Sequence, residues 1–114
     1  MWRDDAYLLD ILIAARKVLR YVADLSWETF KEDGMAQDAV IRNLQIVGEA
    51  AWKISDDFRG GHPEVPWAGI VGLRHRLVHD YSRIDMAKIW ETAVDHIPPL
   101  IRLIEPLVPP EDQV

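Results

Sequence analysis

The residues best equipped for chemistry lie together in Leu73-Arg74-His75-Arg76-Leu77-Val78-His79-Asp80-Tyr81. Arginine supplies a planar, permanently charged fork that matches a phosphate, and histidine exchanges a proton near a free pKa of about 6.5. Such a set offers charge stabilisation at phosphorus and a proton carrier, which suits phosphoryl transfer without a metal. Arg74 and His79 are five residues apart, about 140° around an ideal helix, so a straight helix does not place them on one face. They converge if the helix ends near His79 or if a second chain completes the site. The plainer alternative is a solvated helix end whose cations complement the dipole.

The surrounding charge sharpens this picture. The 114-residue chain has a net charge of −6, yet the stretch from Arg59 to Arg83 holds four arginines against two acids. That stretch is therefore +2 and the remainder −8, and three of the four histidines (His62, His75 and His79) fall inside it. The total alone argues against binding a phosphate backbone; its distribution instead suits local capture of a phosphate or another anion. Other chemistries are thinly represented. The chain has no cysteine, which removes disulfides, thiolate metal sites and cysteine nucleophiles. His75 and His79 have the i,i+4 spacing of a metal pair, but no acid in their helix is spaced to complete a site. Glu91 and His96 are five apart, so the Glu-x-x-His pattern of di-iron bundles is missing, and no glycine-rich phosphate loop exists. Glu49, beside an apolar stripe, reads either as a salt-bridge partner or as support for the site. The tryptophans at 2, 27, 52, 67 and 90 are spread widely and read as core and interface packing.

The elements that must position these residues are helical. Leu8, Leu12, Ala15, Leu19 and Val22 recur at spacing 3–4 and predict a helix over about 4–24. Ser26 caps a short segment over 27–32. Val40, Leu44, Val47, Ala51, Ile54 and Phe58 predict a helix over about 35–58, with Gly48 allowing a close backbone approach. Residues 59–63, with Gly60-Gly61 and Pro63, form the clearest break. Pro66 opens a helix over 67–79, in which Gly69 and Gly72 invite a neighbouring backbone. Asp85 caps a last helix, with Ile84 and Ile89 as a staple and Pro98-Pro99 kinking or dividing it. The expectation is one all-α domain over 1–114, an up-and-down bundle of four main helices and one short one, with a frayed tail over 109–114. No apolar run is long enough for a membrane span and the N-terminus has no signal pattern, so a cytoplasmic protein is the default.

Arg74-x4-His79-x-Tyr81 resembles the Arg-x4-His-x-Tyr motif of HepT-like toxins, in the HEPN superfamily of helical bundles. The blocks Gln37-Asp38-Ala39-Val40, Ile46-Val47-Gly48-Glu49-Ala50, Pro63-Glu64-Val65-Pro66-Trp67 and Val78-His79-Asp80-Tyr81 follow that family's pattern in order. The resemblance covers about residues 4–105. It implies a homodimeric, metal-independent endoribonuclease, the toxin of a toxin–antitoxin pair, with the Arg and His of both chains in one composite cleft. By the same resemblance, Arg74 and His79 are catalytic, and Tyr81 receives AMP from ATP through a minimal nucleotidyltransferase (MntA-like) antitoxin. His75, Arg76 and Arg83 are expected to contact substrate or phosphate. Position 75 departs from many relatives, which carry Asn there. No cofactor is implied. The competing reading is a catalytically inert HEPN module that dimerises, binds a nucleotide and partners a nucleotidyltransferase.

Overall fold

The stripe that begins at Leu8 becomes the centre of the molecule. In the computed structural model, which describes residues 2–110, Leu8, Ile11, Ala15 and Val18 lie at 0–1% exposure inside α1 (Trp2–Val22). They pack against Val40, Leu44, Val47 and Ala51 of α3 (Gly34–Lys53), itself capped by Asp33, whose carboxylate accepts from the Ala36 amide. Between them, α2 (Trp27–Phe30) starts at a Ser26–Thr29 capping box. It plants Phe30, fully buried, 5.2 Å from the Trp90 ring.

The helix expected over 35–58 is two helices. α3 ends at Lys53, and α4 (Asp56–Gly61) begins at an N-cap, Ser55, whose hydroxyl accepts from the Phe58 amide. The cause lies far away in sequence. The buried Asp4 carboxylate accepts from the Ser55 amide at 2.9 Å and from its hydroxyl at 2.7 Å. That pair of charge-assisted bonds holds Ser55 in extended geometry and breaks the helix there. Consequently the break expected at 59–63 starts only at His62, after a short helix that includes Gly60 and Gly61. The loop beyond is fastened by the Trp67 indole, which donates to the His62 carbonyl at 2.9 Å.

Pro66 precedes α5 (Trp67–His79), which lies along α3. A 3-10 turn (Tyr81–Arg83) then leads to Asp85, which caps α6 (Met86–Glu91) by accepting from the Ala87 amide. The division expected at Pro98-Pro99 takes a specific form. A π turn (Thr92–His96) links α6 to α7 (Ile97–Ile104), and the prolines occupy the first turn of α7. Proline has no N–H to give an ordinary helical bond, so the chain widens by one residue before it, and the Ile97 amide reaches the Thr92 carbonyl instead. The result is the expected all-α bundle, with four long rods (α1, α3, α5 and α6–α7) and two short helices. Among the described residues no strand is present and no helix is long and apolar enough to cross a membrane. Of the expected frayed tail, residues 111–114 lie outside the described residues.

Candidate functional site

α5 is held against α3 at one unusually close point. A Cβ added to Gly48 would lie 2.1 Å from Arg74 Cβ and 3.0 Å from the Ile70 carbonyl oxygen. Only glycine permits this approach, and it brings the stem of Arg74 directly over α3. The close contact expected at Gly69 and Gly72 is not there. No atom outside its own helix lies within 4 Å of a Cβ built at Gly69, and Gly72 meets only the Arg76 guanidinium at 3.6 Å.

One residue beyond Gly48, Glu49 completes the seat. Its Oε2 accepts from Arg74 Nε at 3.1 Å and lies 3.0 Å from Nη2, while Oε1 faces Lys53 Nζ at 3.6 Å. Trp52, one helical turn on, places its ring 5.8 Å from the Arg74 guanidinium carbon. Two nitrogens on one edge of the fork are thus committed to a single Glu49 oxygen, and Nη1 has no protein partner among the described residues. Arg74 opens on a cleft of about 300 Å³ between α1, α3 and α5, which also contains Tyr7, Arg42 and Val78. This arrangement orients a permanent cation with a free edge toward solvent, as binding of a phosphate oxygen requires.

His75 and His79 lie on the outer side of α5, both exposed, with ring centroids 4.3 Å apart and planes tilted by 43°. Their rings lie against each other at that tilt, and neither lines the Arg74 cleft. The 140° offset therefore persists within one chain. Tyr81 opens the 3-10 turn immediately after Asp80, the C-cap of α5; its side chain lies outside the described residues. Arg76 and Arg83 stand apart from Arg74. They line a different cavity, between α5 and α6, so the basic stretch seen in the sequence divides between two faces. Arg59 is engaged with Asp56 at 2.6 Å and His62 with Glu64 at 3.3 Å, so neither joins Arg74.

Two features had no sequence signal. Glu91 and His96 come within 3.4 Å because the wider π turn, with its i→i+5 bond, brings side chains five apart closer round the axis than an α-helix would. Trp52 is 56% exposed beside Arg74, so it is not core packing; Trp67, by contrast, is buried. Among the described residues, no group of three His, Asp or Glu side chains is placed to hold one metal ion.

The chain is similar to known proteins along almost its whole length. The family described as Ribonuclease HepT-like matches residues 11–107. The protein named "Putative RNase MJ1380" of Methanocaldococcus jannaschii is 39% identical over 88% of this chain and 92% of its own length. "Putative RNase MJ0127" of the same organism is 35% identical over 90% and 85%. "Probable ribonuclease HepT" of Thermococcus cleftensis is 38% identical over 82% and 86%. No solved structure matches. With Arg74 seated by Gly48 and Glu49 in an all-α bundle, and this likeness end to end, the chain belongs to the HepT-like ribonuclease family.

Proposed function

We propose that this protein is the cytoplasmic toxin of a toxin–antitoxin pair, a metal-independent endoribonuclease that works as a homodimer and is silenced by AMP attached to Tyr81. The observation that carries the reading is the unfinished site. Arg74 is rigidly seated with one free edge, while His75 and His79 stand exposed on the adjoining outer surface of α5. A second chain facing this surface would bring its own Arg74 and His79 into the same cleft and supply the missing convergence.

In that cleft Arg74 would hold the scissile phosphate and stabilise charge on five-coordinate phosphorus. One His79 would take the proton from the 2′-hydroxyl as that oxygen bonds to phosphorus. The bond to the 5′-oxygen breaks, and the partner's His79 would protonate the departing oxygen, leaving a cyclic 2′,3′-phosphate and a 5′-hydroxyl. The need for a 2′-hydroxyl confines cleavage to RNA. Glu49 acts as a positioning residue through Arg74, and His75, on the outer face, borders the composite cleft. For silencing, the Tyr81 oxygen bonds to the α-phosphorus of ATP and pyrophosphate leaves, in a reaction run by a nucleotidyltransferase antitoxin. The added bulk and negative charge two residues from His79 would exclude an RNA phosphate.

Induction of the wild type, Arg74→Ala and His79→Ala in cells tests the toxin assignment. Growth arrest by the wild type alone supports it; arrest by both variants contradicts it, and no arrest by any form favours the inert module. Intact-mass measurement after incubation with ATP and the partner tests the modification. The wild type should gain AMP and Tyr81→Phe should not; equal gain by both would place the modification elsewhere.

A further inference from the structure

The side of α5 opposite Arg74 carries a second, largely apolar groove that the ribonuclease reading does not use. α5 runs along α3 but meets α6 and α7 sparsely, and the space between them forms two adjoining cavities of about 480 and 340 Å³. They share Leu73, Arg76, Lys88 and Thr92. Gly69 lines this groove and has open space where a side chain would stand.

The chemistry of the walls is specific. The first cavity has an apolar floor of Leu73, Leu77, Ile84 and Ile89 and a rim bearing Arg76, Arg83 and Lys88. None of these three cations has a carboxylate partner at ion-pair distance among the described residues; other surface cations, Arg42 and Arg102 among them, are also unpaired, but no other cavity described gathers three such cations. Three cations converge on one cavity whose lining also carries Asp80 and Asp85, with Glu91 in the adjoining cavity, so the walls suit a ligand with an anionic end and a hydrogen-bond-donating end. The same walls hold acceptors: Asp80, and Asp85, whose Oδ1 caps α6 while its second oxygen accepts no bond from the described residues. A plain acyl anion would gain nothing from those carboxylates, but a nucleobase amino group would donate to them. An apolar floor for a ring, acceptors for its amino group and a cationic rim for phosphate together describe one nucleotide, and the volume suits a ligand of that size.

We propose that the α5–α6 groove is a binding site for a nucleoside monophosphate unit, distinct from the Arg74 cleft. Two sources carry that chemistry: a nucleotide of bound RNA, or the AMP tethered to Tyr81, whose 3-10 turn runs directly into the groove wall at Arg83 and Ile84. The existence of the groove site is independent of the proposed function; the choice between its sources rests on that reading.

The test is binding of AMP, adenosine and inorganic phosphate to the full-length protein, followed by calorimetry and by amide NMR shifts. AMP should bind more tightly than either fragment and shift amides around Leu73, Ile84, Lys88 and Thr92. Lys88→Glu should weaken it at least tenfold by reversing a rim charge. Gly69→Leu, which fills open space within a helix, should do so by occupying the adjoining cavity. Arg74→Ala should bind AMP as the wild type does, so loss of ribonuclease chemistry and loss of this site are separable. Competition by an uncleavable oligonucleotide with a 2′-deoxy scissile position identifies RNA as the source. The same amide shifts on Tyr81 modification, with free AMP then excluded, identify the tethered AMP. No saturable AMP binding, or binding unaffected by both Lys88→Glu and Gly69→Leu, would overturn the proposal.

Discussion

Replacing Gly48 with alanine adds one methyl group at the point where α3 and α5 touch, and its consequence follows from the geometry. The new Cβ would lie 2.1 Å from Arg74 Cβ and 3.0 Å from the Ile70 carbonyl oxygen. Carbon atoms rest at about 3.5–4.0 Å, so the first contact must open by roughly 1.5 Å. Neither neighbour is the free end of a side chain: one is fixed to the α5 backbone and the other belongs to it. Relief therefore requires the two helices to separate, loosening the layer formed by Leu44, Val47, Ile70 and Leu77. Overpacking of this kind costs about 1–3 kcal/mol, here toward the upper end, and alanine's helix preference returns about 1 kcal/mol. The net loss should be about 2 kcal/mol, equivalent to a fall of roughly 10 °C in Tm for a domain of this size. Thermal and urea unfolding followed by circular dichroism would measure it. Gly60→Ala is the control, because open space surrounds that position in α4, and it should be neutral or stabilising by up to about 1 kcal/mol. Gly48→Ala as stable as the wild type would refute the close-approach argument.

Other outcomes follow from the same packing. Phe30→Ala removes a fully buried ring that touches Trp90 and should cost about 3–5 kcal/mol in urea unfolding. Asp4→Ala strips Ser55 of both its acceptors and should cost about 2–3 kcal/mol, with Asp4→Asn recovering part of the loss. Glu49→Gln should change stability by less than about 1 kcal/mol, because the Glu49 side chain is 42% exposed. Its effect should instead fall on kcat for RNA cleavage, by about tenfold with little change in KM, and an unchanged kcat would remove Glu49 from the positioning role.

Much of the bundle is legible in the chain itself because its stripes are long and regular. The run from Leu8 to Val22 and the run from Val40 to Ala51 each mark a face that ends up buried. What escapes is decided by partners distant in sequence. Ser55-Asp56-Asp57 is a local helix-start signal inside a longer apolar stripe, and what fixes the break there is Asp4, distant in sequence. The paired prolines announce a disturbance at 98–99, but its form as a π turn, and the Glu91–His96 contact it creates, depend on how α6 and α7 must both reach the core. The site divides similarly. Gly48 and Glu49 are legible as a possible close approach and a possible support, and both converge on Arg74. A single basic stretch conceals that Arg74 and Arg76, two residues apart, point to opposite sides of α5. Net charge, even resolved into segments, carries no direction; the helix supplies it.

The central claim, that Arg74 and His79 cut RNA without a metal, is tested most directly by purified protein, labelled RNA and EDTA. The wild type should cleave at an undiminished rate and leave cyclic phosphate ends. Arg74→Ala and His79→Ala should each slow it by at least about 100-fold while keeping the wild-type circular dichroism spectrum. Cleavage that survives both substitutions, or that EDTA abolishes in the wild type, would contradict the account.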